Sequence, residues 1–235
     1  MEITTVLFDL DGTLLPMDQD VFTKTYFKLL AARLAPLGYE PAHLVDNIWA
    51  GTAAMVKNDG SCTNEEAFWK VFYRVYGEES QKDKPVIDAF YREEFNQAQA
   101  ACGFNPAAGE VVAQLKAAGK TVALATNPIF PAAATQNRIR WAGLTPEDFL
   151  HYTTYENSHY CKPNLKYYEE ILRQIGRRPE ECLMVGNDVG EDMVARQLGM
   201  QVFLLTDCLI NRHGEDLSAY PSGGFPELKA FLARL

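Results

Sequence analysis

The stretch "ITTVLFDLDGTLL", residues 3–15, is a run of β-branched and aliphatic residues that leads into two aspartates. Residues 3–10 lack an alternation of apolar and polar positions, which is typical of a strand buried on both faces. Asp9 and Asp11 follow at the carboxyl end of this strand, where open α/β sheets bind their ligands. Residues two apart in an extended segment point the same way, so both carboxylates can approach one reacting centre. Considered alone, the segment is equally compatible with an aspartate-rich turn that binds nothing.

Three further apolar runs predict strands at residues 121–126, 182–187 and 202–206. Helical patterns lie between them at 164–176 and 191–199, and each ends at a glycine. Strands that alternate with helices favour an α/β fold with a parallel sheet and right-handed connections. The sequence therefore predicts a Rossmann-like, doubly wound parallel sheet.

The segment between the first two strands has a different character. Residues 16–103 are rich in helix formers and aromatic residues and contain no strand-like run, which predicts an all-helical insertion. The expected division is a core of residues 1–15 and 104–235 and an insertion of residues 16–103. One helix of the insertion begins with a capping box, Thr63 to Glu66. An aromatic row on this helix is interpreted as packing, or as a contact with substrate or another subunit: Trp69, Tyr73 and Tyr76.

The composition argues against several classes of protein. A chain of 235 residues, 47% hydrophobic and 23% charged, is typical of a globular protein, and no apolar run reaches the roughly 18 residues of a membrane span. The N-terminus does not resemble a signal peptide, so we expect a cytoplasmic protein with no membrane partner. The five scattered cysteines predict free thiols. A net charge of -9 without a basic stripe argues against nucleic acid but permits a small anion beside a local cation.

Polar residues that suit an anion follow the second strand and precede a later helix. Thr126 and Asn127 end the second strand and offer a hydroxyl, an amide and backbone N–H groups. Lys162 lies just before a helix predicted to begin at Pro163, so its ammonium and the positive helix end can attract the same anion. Each of these residues alone has an ordinary structural explanation, as a strand-end hydrogen bonder or a surface charge.

The third strand ends in "GNDVGED", which crowds three carboxylates into a few positions. Asp188 and Asp192 have the four-residue spacing that places side chains on one helical face, so Asp188 can reach a metal while Asp192 orients a metal-bound water or Lys162. The alternative is a helix N-cap, because Asp188 followed three residues later by Glu191 is the pattern of a capping box.

Joined in order, "DLDGTL", "ATN", "KPN" and "GNDVGED" resemble the haloacid dehalogenase superfamily along the whole chain. The resemblance implies a Rossmann-like core, a Mg²⁺ ion, an aspartate nucleophile and a helical insertion that acts as a cap over the site. It implies these roles: Asp9 as nucleophile, Asp11 as general acid and base, Thr126, Asn127 and Lys162 as phosphate binders, Asp9, Asp11 (through its backbone carbonyl) and Asp188 as metal ligands, and Asp192 as metal support. One departure is that Asn187 follows the glycine of the fourth motif, where the common form has aspartate.

The leading hypothesis is a magnesium-dependent phosphatase that hydrolyses a small phosphorylated metabolite through an aspartyl phosphate, as a monomer or homodimer. A dehalogenase would need neither Asp11 nor the acidic cluster, and a phosphonate hydrolase would need a Schiff-base lysine from the cap, for which Lys57 is a candidate. A phosphomutase would keep both aspartates. A catalytically silent small-ligand-binding protein would need none of the catalytic residues, Asp9 and Asp11 included. Specificity is expected in the cap at residues 51–59, with Lys57 and Asn58 as candidate ligand contacts.

Overall fold

The computed structural model describes residues 2–235, and its centre is one parallel β-sheet with the strand order β2-β1-β3-β4-β5. Pairing is parallel throughout. The strands are β1 (Thr5–Phe8), β2 (Thr121–Leu124), β3 (Cys182–Gly186), β4 (Gln201–Leu205) and β5 (Ser222–Gly223). The sequence predicted the first four, each within a few residues of its observed bounds, and it missed the two-residue β5.

Within residues 2–235, eight α-helices surround and cover this sheet. They are α1 (Gln19–Leu34), α2 (Pro41–Val56), α3 (Asn64–Tyr76), α4 (Lys84–Arg92), α5 (Pro106–Ala117), α6 (Ala132–Trp141), α7 (Leu165–Ile175) and α8 (Phe225–Leu232). Among residues 2–235, no helix is both long enough and apolar enough to cross a membrane.

The sheet is buried on both faces, as the unbroken apolar runs predicted. Val6 and Phe8 of β1 pack in one apolar cluster with residues of α5, α6 and α8. Leu7, between them, points the other way into a second cluster that contains residues of α7. Helices on both faces of a parallel sheet define the doubly wound α/β class.

Helices α1 to α4 and short 3₁₀ segments make up the insertion between β1 and β2, and we call this helical layer the cap. The two chain connections to it lie side by side: Met17 forms an antiparallel bridge with Cys102, and the Gly103 N–H donates to the Pro16 carbonyl at 2.7 Å. This pairing agrees with domain ends near residues 16 and 103, and that division stays a prediction.

The cap also contacts the core through the start of α3. Thr63 caps the helix in the predicted capping box with Glu66. The next residue, Asn64, is fully buried, and its Nδ2 lies 3.2 Å from the Pro128 carbonyl and 3.3 Å from the Tyr160 carbonyl. A cap side chain thus donates to two core loops.

Two predicted helices differ in detail. The pattern at 191–199 forms a shorter 3₁₀ helix, Met193–Leu198, and the Asp192 side chain before it binds Lys162 and the Asp188 N–H. The helix predicted to begin at Pro163 begins at Leu165, where the Asn164 side chain accepts from the Lys166 N–H. Both helices end at the predicted glycines, which are left-handed.

Candidate active site

A cavity of about 500 Å³ lies where the carboxyl ends of β1, β2 and β3 meet the cap. The strand register explains the convergence, because Phe8 is paired with Leu124 on one side and Val185 on the other, so the residues that follow emerge at one edge. The cavity is lined by the seven residues for which a catalytic, phosphate-binding or metal role was predicted: Asp9, Asp11, Thr126, Asn127, Lys162, Asp188 and Asp192.

Lys162 is the buried cation at the centre of the site. Its side chain is 1% exposed, and its Nζ lies 2.8 Å from Asp9 Oδ1 and 2.6 Å from Asp192 Oδ1. Burial alone would lower the pKa of Lys162, but the carboxylates of Asp192 and Asp9 raise that pKa well above its usual value. The ammonium therefore stays charged and can attract an anion beside Asp9.

Asp11 forms an ion pair with Arg138, an arginine of α6 whose side chain is completely buried. The guanidinium also donates to the Ala134 carbonyl and lies 4.5 Å from the centre of the Phe130 ring. Burial raises the pKa of Asp11, and Arg138 opposes that rise. The other carboxylate oxygen, Oδ1, is buried without a hydrogen-bond partner in the described part of the chain, so it is available to a ligand.

The turn after Asp11 brings the first and fourth motifs together. Gly12 has φ +87°, and a Cβ at this position would lie 2.3 Å from Asn187 Nδ2. Only glycine fits both the backbone conformation and the close approach. The Thr13 hydroxyl lies 2.9 Å from Asp9 Oδ2 and 3.1 Å from Asn187 Oδ1. Asn187, the departure from the usual motif, therefore packs against the turn that holds the two aspartates.

The acidic turn after β3 is held by hydrogen bonds from backbone N–H groups to the carboxylates of Asp188 and Asp192. Asp188 Oδ1 accepts from the N–H groups of Gly190 (2.8 Å) and Glu191 (3.0 Å), so it stabilises a turn; it is not the predicted helix N-cap, because the 3₁₀ helix begins only at Met193. Asp192, rather than the predicted Glu191, completes the reciprocal contact, because its Oδ2 accepts from the Asp188 N–H at 3.0 Å. Asp188 Oδ2 is left facing the cavity, 3.8 Å from Arg212 Nη2.

Hydrogen bonds from other core segments fix the end of β2. The Thr126 carbonyl accepts from the Thr153 hydroxyl (2.6 Å) and the Tyr167 hydroxyl (2.7 Å). Asn127 Nδ2 donates to Glu191 Oε2 at 3.2 Å, so the second and fourth motifs are also in contact. These bonds fix the strand end with Thr126 and Asn127 on the cavity wall.

The donor chemistry of the site fits a magnesium ion. The predicted ligands, Asp9, Asp188 and the backbone carbonyl of Asp11, would all offer oxygen atoms, which Mg²⁺ prefers. No cluster of three metal-ligating side chains is preformed among residues 2–235, and the predicted set needs only two side chains. In the part of the site that the structure describes, the carboxylates outnumber the cations: Asp9, Asp11, Asp188, Glu191 and Asp192 against Lys162, Arg138 and Arg212. This excess of negative charge suits a divalent cation.

The cap side of the cavity is uncharged, and of the segment 51–59 expected to give specificity Thr52 and Val56 line it. Residues 51–56 are the last turns of α2, so the segment is not a ligand-facing loop. Asn58 Nδ2 donates to the Cys62 carbonyl and to Asn64 Oδ1, and neither Lys57 nor Asn58 is among the described residues that line the cavity. Of the aromatic row on α3, Trp69 lines the cavity.

Several site residues were missed by sequence reasoning. Arg138 shares α6 with another arginine and has no neighbouring motif that would set it apart. Thr13 lies inside the first motif, and the sequence alone does not show that its hydroxyl reaches Asp9 Oδ2. Arg212 comes from the segment after β4, for which no structure was predicted.

Comparisons with known proteins agree with this geometry. A family model described as haloacid dehalogenase-like hydrolase matches residues 3–199. A glyceraldehyde 3-phosphate phosphatase from Methanothermobacter thermautotrophicus is 44% identical over 45 residues, and the match spans 19% of this chain and only 20% of that protein.

Solved structures resemble the chain over nearly its full length. A 2-haloacid dehalogenase from Pseudomonas syringae pv. Tomato superposes with TM-score 0.62 at 20% identity and covers 99% of both chains. A hydrolase from Bacillus subtilis, YfnB, described as bound to magnesium, gives TM-score 0.59 at 18% identity and also covers 99% of both chains. At such identities the likeness concerns the fold. The family match over most of the chain, with this edge of the sheet built as described, shows that the protein belongs to the haloacid dehalogenase-like hydrolases.

Proposed function

We propose that the protein is a magnesium-dependent phosphatase that hydrolyses a small phosphate monoester through an aspartyl phosphate on Asp9. The observation that carries the proposal is the buried Lys162 ammonium, 2.8 Å from Asp9 Oδ1 at the carboxyl edge of the sheet. A carboxylate that attacks a phosphate dianion meets charge repulsion, and a fixed cation beside the nucleophile opposes it. The short match to a named phosphatase supports the same chemistry.

Asp9 would attack phosphorus with one carboxylate oxygen while the P–O bond to the alcohol breaks. Lys162 and Thr13 hold the Asp9 carboxylate in place, so the carboxylate has little rotational freedom left to lose when a substrate binds. Thr126 and Asn127, at the end of the neighbouring strand β2, also line the cavity and would offer their side chains to the phosphate oxygens.

Asp11 would give a proton to the leaving oxygen and then take one from the water that hydrolyses the aspartyl phosphate. Its pairing with Arg138 through one oxygen fixes the carboxyl group, and the free Oδ1 is the atom for proton transfer. A Mg²⁺ ion held by Asp9, Asp188 and the Asp11 carbonyl would neutralise charge on the phosphate.

The other members of this reaction class fit the site less well. A dehalogenase has no use for the Asp11–Arg138 pair or for the acidic turn. A phosphomutase must hold a second phosphate, and a phosphonate hydrolase needs a Schiff-base lysine from the cap. No lysine or arginine of the cap, all of whose residues are described, lines the cavity. A silent binding protein would not need two aspartates presented at one centre.

The test is phosphate release from a panel of phosphate monoesters, measured with Mg²⁺ and again with excess EDTA. We expect turnover that requires Mg²⁺ and that is abolished by Asp9→Asn, because a neutral amide of nearly the same shape cannot act as the nucleophile. Asp46→Asn, an exposed aspartate of α2, is the matched control and should keep full activity. Activity that survives Asp9→Asn would refute the mechanism.

A further inference from the structure

The half of the cavity that the cap provides carries no charge. All cap residues are described, and those that line the cavity are aliphatic, aromatic or neutral polar. The cavity extends from Asp9 past the aromatic residues of α1 to Leu34 on α1 and Phe72 on α3, which are at most 1% exposed. A ligand whose phosphate lies at Asp9 therefore places its other end among buried apolar side chains.

Most polar groups in this wall already have partners. The hydroxyls of Tyr26 and Tyr91 hydrogen-bond each other at 2.8 Å. The Thr52 hydroxyl donates to the Ile48 carbonyl of its own helix at 2.9 Å. A site built for a polyol would present unpaired donors and acceptors to the hydroxyls of its ligand. Gln19 and Thr23 of α1 are the lining residues of the cap whose polar side chains have no partner in the described part of the chain. A leaving group with several hydroxyls therefore finds few groups to replace its lost water.

The mouth of the cavity is apolar as well. Trp49 and Val56 on α2 line the cavity while 51% and 47% exposed, so they form a rim at its opening. Phe27 of α1 packs against Trp49, with ring centroids 5.5 Å apart. Apolar surface therefore continues from the solvent to the closed end.

From these observations we propose that the substrates are phosphate monoesters of apolar alcohols, aryl-alkyl or aliphatic, and not sugar or organic-acid phosphates. The inference rests on the proposed phosphatase activity and adds the class of leaving group. The core would bind the phosphate at Asp9 and Lys162, and the cap would bind the hydrocarbon part by removing it from water.

The experiment compares four esters that all carry phosphate on a primary carbon, so that their intrinsic reactivities are close. Two are apolar, benzyl phosphate and n-hexyl phosphate, and two are polar, glycerol 3-phosphate and glyceraldehyde 3-phosphate. We expect kcat/KM for each apolar ester to exceed that of each polar ester by at least about 10-fold, the discrimination that one or two buried methylenes give.

A charge placed at the rim tests where the selectivity lies. Val56→Lys should lower the ratio of kcat/KM for benzyl phosphate over phosphoglycolate at least about threefold, because the new ammonium attracts the carboxylate of phosphoglycolate. Ala53→Lys is the matched control: Ala53 is an exposed residue of the same helix and lies outside the lining, so the ratio should stay at its wild-type value.

The outcomes separate the two proposals. Polar esters that are hydrolysed as well as the apolar ones, or better, would overturn the assignment of the leaving group and leave the phosphatase activity standing. An equal effect of both lysine substitutions would also overturn it. Absence of phosphate release from every ester, with Mg²⁺ present, would refute the phosphatase activity itself.

Discussion

Removal of the Arg138 guanidinium should expose how the site holds Asp11. Arg138 is fully buried and the Asp11 side chain is 20% exposed, so Arg138→Met leaves a carboxylate that has lost its partner and much of its water. Breaking a buried ion pair from one side typically costs 3–5 kcal/mol. Because Asp11 keeps some contact with solvent, we expect the lower end, about 3 kcal/mol of unfolding free energy. Met keeps most of the buried stem, so a cavity adds little.

The assay is urea denaturation of four proteins: wild type, Arg138→Met, Asp11→Asn and the double variant. If the loss comes from the unpaired carboxylate, the double variant should be less destabilised than the sum of the singles by about 1.5–3 kcal/mol, the value of a hydrogen bond to a charged group. Arg140→Met, on the same helix with an exposed side chain, should change stability by less than about 0.5 kcal/mol. Additive single losses would refute the reasoning, since the arginine would then act through packing alone.

Three further predictions concern the metal, the first turn and pH. Asp188→Asn should raise the Mg²⁺ concentration for half-maximal activity more than Asp192→Asn, because the Asp192 carboxylate is already bound to the buried lysine; equal shifts would contradict this. Gly12→Ala should lower the unfolding free energy by at least about 2 kcal/mol, since it combines a left-handed backbone with the close approach to Asn187, and an unchanged denaturation midpoint would oppose it. Burial lowers the pKa of His151 below its ordinary value of 6.5, so the unfolded chain takes up a proton at this residue before the folded chain does. The fold therefore loses stability as the pH falls from 6.5 toward the lowered pKa. His151→Gln should flatten the decline in melting temperature from about pH 7.5 to about pH 5.5, and an unchanged decline would contradict this.

The sequence predicted the strands and the edge at which the site lies because both depend on local signals. Asp9 follows an apolar run, and so does Thr126, and parallel strands necessarily gather their carboxyl ends at one edge. Lys162 needed the resemblance as well, because it lies in a loop whose path to Asp9 has no local signal. All three line the cavity, while their catalytic roles stay predictions.

The features that were missed depend on packing between distant segments. Nothing near Arg138 in the sequence shows that α6 turns this arginine toward Asp11. Lys57 and Asn58 are polar residues of a cap segment, which is why they were predicted to contact a ligand. The packing of α2 on α3 decides which side of the segment faces the cavity, and that side carries Thr52 and Val56. The two-residue β5 and the 3₁₀ segment at Met193–Leu198 are too short to have a pattern.

The hydrogen bonds of Asn64 affect how the site is assembled. This cap residue donates toward the carbonyls of Pro128 and Tyr160, which lie one and two residues from Asn127 and Lys162. One cap side chain therefore supports both loops that carry the proposed phosphate-binding residues. If those loops bind phosphate as proposed, we expect a substitution of Asn64 to alter phosphate affinity although Asn64 itself does not line the cavity.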